Sequence, residues 1–250
     1  IAAHQAGDFF KAEHAYQQLL SEDANDTEAL NAYGILYLQR GELPAAIRCF
    51  EKAVKLDPVV AKYHNNIGNV RMAEDAFVAA IKPFRRAVQI DPESADFVAN
   101  LATAHMLSGD SAAGEKEFRN ALSIDPDHFR SRHNLGSLLG KQNRYRDALE
   151  HLQRAAQHPD CETDTILNLT TTYELLNRLD DASECLHSLG DTSHPRAQIL
   201  KARLMRRRGD ALGALTSLRS RSDVTSKHWD DETTGDWYHE LALCGDQAGD

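Results

Sequence analysis

Positive charge is scarce in this 250-residue chain: 28 Lys and Arg stand against 38 Asp and Glu, for a formal net charge of −10. General nucleic-acid binding needs the opposite balance, because cations must displace the counterions of the phosphate backbone, so no nucleic-acid partner is expected. Cysteine is scarce too. Cys49, Cys161, Cys185 and Cys244 are scattered, with no CxxC pair, which argues against a disulfide framework or a zinc site. Free thiols suit a reducing compartment, and a cytoplasmic location is expected. No apolar run approaches the roughly 18 residues that cross a bilayer, so membrane insertion is not expected. Catalytic signatures are missing as well: there is no GxSxG, HExxH or phosphate-binding loop, and the twelve His lack metal-ligand spacing. No catalytic residue, metal or cofactor is therefore expected within these residues.

What the chain has is repetition. Residues 50–58 read FEKAVKLDP, residues 84–92 read FRRAVQIDP and residues 118–126 read FRNALSIDP, each phrase 34 residues after the last. Self-similarity at that period predicts stacked helix–turn–helix units. With the Pro of each phrase set as position 32, small residues recur at position 8 (Gly34, Gly68, Ala102, Gly136), position 20 (Ala46, Ala80, Gly114, Ala148) and position 27 (Ala53, Ala87, Ala121, Ala155). Such residues let two helices approach closely. Phe50, Phe84, Phe118 and Leu152 at position 24, with aliphatics at position 7, fill the space between them. Gly or Asn at position 15 (Gly41, Gly109, Asn143, Asn177, Gly209) frees the backbone for the turn inside each unit. The Asp-Pro pairs stop each second helix, and Pro44 suits the start of one.

These positions resemble the tetratricopeptide repeat (TPR) pattern along almost the whole chain. The resemblance implies an all-α fold, a right-handed superhelical solenoid of antiparallel helix pairs forming a single array. Full repeats are expected at 27–60, 61–94, 95–128, 129–162, 163–194 and 195–228. A partial repeat is expected at 1–26, and a loop with the first helix of a further repeat at 229–250. Because both ends cut through a repeat, a longer parent protein is expected. Departures fall in the second full repeat, where Arg71 replaces an apolar residue, Asp75 replaces Gly and Pro83 sits inside the second helix. Pro83 should cost hydrogen bonding and bend that helix. The stretch 220–236 lengthens the period and predicts a long loop or a break in stacking.

The resemblance also implies that positions 2, 5, 6, 9, 12 and 13 of each first helix face a concave groove, the usual binding wall of a solenoid. Position 6 is Asn66, Asn100, Asn134 and Asn168, and position 9 on the same face is Asn69, Thr103, Ser137 and Thr171. An Asn amide both donates and accepts, which suits the backbone of an extended peptide. Similar asparagine ladders hold peptides in TPR-linked N-acetylglucosamine transferases. The other reading is that these Asn bond one repeat to the next. A second feature is basic: Arg196, Arg203, Arg206 and Arg207 fall at positions 2, 9, 12 and 13 of one repeat. Their planar forks suit carboxylates, so a partner of acidic character is expected, unless the cluster pairs with the acidic stretch 230–236. Arg130, His133 and Lys141 form a weaker basic group. The pattern of Lys and Asn by which some TPR domains clamp a C-terminal carboxylate is not matched.

Two functions follow from the resemblance. One is a protein–protein interaction scaffold that holds an extended protein or peptide segment in its groove. The other is the substrate-recognition arm of a larger transferase, a sulfotransferase or glycosyltransferase, whose catalytic domain lies outside these residues. Residues 237–250, WYHELALCGDQAGD, are similar to the last repeat helix before such a sulfotransferase domain. Self-association through apolar end helices is a third possibility.

Overall fold

The computed structural model describes residues 7–190, 194–219 and 231–249. Among them are fourteen α-helices and no strand. Numbered in chain order, the first helices of the six full repeats are α2 (Thr27–Gln39), α4 (Ala61–Ala73), α6 (Ala95–Leu107), α8 (Phe129–Lys141), α10 (Thr163–Leu175) and α12 (Pro195–Arg207). Each has 13 residues. The second helices are α1 (Phe9–Glu22), α3 (Leu43–Leu56), α5 (Phe77–Ile90), α7 (Ser111–Ile124), α9 (Tyr145–Ala156), α11 (Leu179–His187) and α13 (Ala211–Arg219). A final helix, α14 (Asp231–Ala248), follows. The chain forms two compact units, residues 1–131 and 132–250.

The turn inside each unit is set by one residue. Position 15 has a positive φ in all six full repeats: Gly41 at 72°, Asp75 at 55°, Gly109 at 92°, Asn143 at 61°, Asn177 at 59° and Gly209 at 92°. In each, the next N–H reaches back to the carbonyl at position 11, as from Glu42 to Tyr37 at 2.8 Å and from Ala76 to Arg71 at 2.9 Å. This is the left-handed stop in which the residue after the cap closes the last turn. Asp75 keeps the geometry that Gly would take more cheaply, which Asp tolerates better than most side chains. Arg71 places its guanidinium 2.7 Å from Glu74 at the surface.

In unit 1, α3, α5 and α7 end at Leu56, Ile90 and Ile124, immediately before their Asp-Pro pairs. The Asp N–H donates to the carbonyl of Ala53, Ala87 or Ala121 at 2.9 Å, and the following Pro supplies no donor to extend the helix. Pro44 lies in the first turn of α3. Pro83 is carried inside a continuous helix, α5, which runs from Phe77 to Ile90. The carbonyl four residues back belongs to Ala79, an exposed residue, so water can replace the missing donor.

Close packing follows the small positions. Phe50, Phe84 and Phe118 are fully buried, as are Ala46, Ala53, Ala80, Ala87 and Ala121. Gly34 and Gly68 lie so close to Phe50 and Phe84 that a β-carbon would sit 2.6 Å and 2.4 Å from the rings. The third full repeat exchanges the pair, with Ala102 at position 8 and Gly114 at position 20. In unit 2, Gly136 approaches Leu152 in the same way, and Trp237 of α14 closes a core with Ile199, Ala214, Leu215 and Leu218. The long loop or break expected at 220–236 falls largely on residues 220–230, which lie outside the described residues. No helix among the described residues is long and apolar enough to cross a membrane.

Candidate functional site

In unit 1 the first helices α2, α4 and α6 stand side by side, tied through positions 5 and 6. The Asn66 amide donates to Asn31 Oδ1 at 2.7 Å, and the Asn100 amide donates to Asn65 Oδ1 at 2.9 Å. Beside them, Lys62 is ion-paired to Glu28 at 2.6 Å, and the Tyr63 hydroxyl donates to the same carboxylate at 3.0 Å. The Lys62 ammonium and the Tyr63 hydroxyl hold the Glu28 carboxyl below its ordinary range. The structure thus supplies the repeat-to-repeat bonding that was one of the two readings of the Asn row.

Hydrogen-bond capacity then separates the residues. An amide offers two N–H donors and an oxygen with two lone pairs. Asn66 and Asn100 each spend one N–H and keep their Oδ1 and second N–H. Asn69, half-buried one turn further along α4, has no hydrogen-bond partner for its side chain among the described residues. Thr103 donates its hydroxyl to Ala99 O at 2.8 Å within its own helix. The half-buried Met72 and Met106 occupy position 12 of α4 and α6, three residues beyond Asn69 and Thr103 on the same faces. Unit 1 therefore presents amides with apolar neighbours, with Glu28, Lys62 and Asp96 at position 2 of the same helices.

Unit 2 is built differently. Asn168 donates to Ser137 Oγ at 2.8 Å and accepts from Arg196 at 2.8 Å, so both ends of the amide are engaged. Thr171 donates to Leu167 O at 2.8 Å. Asn134 is half-buried on α8. The His133 ring lies 2.7 Å from Thr165 Oγ1, and burial lowers its pKa below the ordinary imidazole value.

The remaining arginines are committed to two buried carboxylates. Arg206 bonds Glu240 at 2.6 Å, and Arg203 lies 3.3 Å from Glu240 and 3.6 Å from Glu174. Arg207 donates to the Glu174 carbonyl at 2.7 Å, and its charge lies 3.3 Å from the Glu174 carboxylate. Glu240 and Glu174 are only 1% and 5% exposed at their side chains, and a buried carboxylate is retained only with such partners. Among the described residues the cluster pairs within the chain, through Glu174 and Glu240; the side chains at 230–232 of the acidic stretch lie outside the described residues. Sequence reasoning missed these glutamates and also Asn31 and Asn65. A signal for them was available: Glu240 falls at position 6 if α14 is counted back from Gly249, whose φ of 77° marks position 15.

No group of three or more His, Cys, Asp or Glu among the described residues could hold a metal ion.

A family model described as tetratricopeptide repeat matches residues 1–48 and 34–95, and a second so described matches 71–139 and 139–204. A search of curated proteins gave no match. Solved structures match well. The pilF protein of Pseudomonas aeruginosa superposes with a TM-score of 0.71 at 18% identity, covering 93% of this chain and 99% of that one. The APC/C Cut9–Hcn1 hetero-tetramer gives 0.77 at 18% identity, over 97% of this chain and 47% of that one. YrrB, described as a TPR protein with an unusual peptide-binding site, gives 0.58 at 20% identity, over 75% and 97%. These likenesses show the fold.

Proposed function

Because the chain belongs to the tetratricopeptide repeat family, we propose that it is a protein–protein interaction scaffold whose unit 1 holds an extended segment of a partner protein along the first-helix wall. The observation that carries this reading is the unspent hydrogen-bond capacity of that wall. Asn69 has a whole amide to offer, and Asn66 and Asn100 keep acceptors and one donor each. An extended peptide exposes unpaired N–H and C=O groups along its length, and an amide row satisfies them without reading side-chain identity. The half-buried Met72 and Met106 beside the row supply adaptable apolar contact for a partner's side chains. Glu28 and Lys62 neutralise one another and Asp96 at position 2 of α6 lies against His128, so the wall carries little net charge and suits a largely uncharged stretch. The arginines of unit 2 are not part of this reading, since Arg203, Arg206 and Arg207 are held by Glu174 and Glu240 and Arg196 by Asn168. YrrB, a similar structure described as peptide-binding, supports the class of ligand.

The test is to select binders from a randomised peptide-display library on the intact chain, then measure their affinity for variants. Asn69→Ala removes two to three hydrogen bonds worth about 0.5–1.5 kcal/mol each and should weaken binding about tenfold or more. Asn168→Ala should leave affinity unchanged. Equal effects of the two substitutions would sink the proposal.

A further inference from the structure

Unit 2 contains a cleft of about 570 Å³ between α11 and α12, and its origin can be read from the repeat frame. Position 28, near the end of each second helix, is Val54, Val88, Leu122 and Ala156 in the first four full repeats. Val54 packs by Tyr63 of the next first helix, and Val88 packs by Val98 and Ala99. In the fifth full repeat position 28 is Gly190, and α11 has nine residues where α3, α5 and α7 have fourteen. The side chain that would close the seam is missing, and the cleft is the space it leaves.

The chemistry of its walls is specific. Leu186, Leu204 and Met205 give an apolar floor, and Lys201, His187 and Arg208 stand at the rim. Among the described residues no lining residue is acidic, in a chain that carries ten more acidic than basic side chains. Arg208 is already bonded to Asp180 and to the Leu179 carbonyl. Lys201 and His187 are exposed and make no ion pair with a described residue, so they are open to an anion. A volume of this size, apolar below and polar at one edge, is that of a small-molecule site.

We propose that this cleft binds a free anionic amphiphile, a medium-chain carboxylate or its like. The tail lies on Leu186, Leu204 and Met205, and the headgroup sits at Lys201 beside His187. This site is distinct from the peptide wall of unit 1 and does not depend on it.

The experiment is calorimetric titration of the intact chain with decanoate, and with the uncharged decanoyl-N-methylglucamide, both below their micelle concentrations. Decanoate should bind at one saturable site, about fivefold more tightly than the amide, as one partly exposed charge contact allows. Lys201→Glu should weaken decanoate about fivefold and leave the amide unchanged. Ala197→Phe, which fills the cleft from α12, should abolish both. Non-saturable binding, equal affinities for the two probes, or an unchanged decanoate affinity in Lys201→Glu would each overturn the proposal. Because Lys201 is exposed, that variant keeps the test valid even if Ala197→Phe does not fold.

Discussion

Substituting Gly68 by Ala tests the packing logic of the array. A β-carbon there would lie 2.4 Å from Cε1, 2.5 Å from Cδ1 and 2.7 Å from Cζ of Phe84. Carbon atoms at rest sit about 3.5–4.0 Å apart, so the overlap exceeds about 1 Å. Phe84 has nowhere to go, being 1% exposed and enclosed by Ala80, Leu101 and Ala104. Overpacking of this kind costs about 1–3 kcal/mol, while Gly→Ala inside a helix returns up to about 1 kcal/mol. The net expectation is a loss of about 1–2 kcal/mol, read as a lower urea midpoint by circular dichroism. Gly140 in α8 is the control, because a β-carbon there meets nothing within 4 Å. Gly140→Ala should gain about 0.5–1 kcal/mol. The third full repeat, with Ala102 facing Gly114, adds a sharper prediction: Gly68→Ala with Ala80→Gly should cost less than the two single changes summed. A neutral or stabilising Gly68→Ala would refute the argument.

Other outcomes follow from the same geometry. Glu240→Ala strands Arg203 and Arg206 beside α14; removing one partner of a fully buried pair costs about 3–5 kcal/mol. With side chains 27% and 14% exposed, the arginines regain some water, so about 2–3 kcal/mol is expected, with hydrogen exchange speeding first over residues 237–248. Burial depresses the pKa of His133 in the folded chain, so the unfolded state takes up the proton first. Its contribution to stability is complete above the ordinary imidazole pKa and is lost as pH falls from there through the folded value. His133→Gln should therefore flatten part of the acid-side decline in unfolding free energy; an unchanged pH profile would show that the ring is not held neutral by the fold.

Much of the fold was legible because it rests on local rules repeated in register. A positive φ at position 15, a Pro after each second helix and a small residue opposite each Phe are properties of single residues. Pro83 shows the limit of such rules. Its cost depends on whether Ala79 can reach water, and that is fixed by the neighbours and not by the Pro. The candidate site was legible only in outline. The Asn row was visible by its spacing, but whether an amide is spent or free depends on what lies one repeat away. Asn66 and Asn168 look alike in sequence, yet one has Asn31 for a neighbour and the other is held between Ser137 and Arg196. The arginines invited an acidic partner for the same reason. Their carboxylates, Glu174 and Glu240, stand roughly one repeat to either side.

The chain's three methionines allow the central claim to be tested in one spectrum. Met72 and Met106 flank the amide wall of unit 1, and Met205 lines the cleft of unit 2. With the methionine methyls labelled with carbon-13, a peptide selected on the intact chain is titrated in and the three signals are followed by NMR. The account predicts saturable shifts of Met72 and Met106 at the peptide's dissociation constant, with Met205 unmoved. A shift confined to Met205, or none at all at saturation, would contradict it.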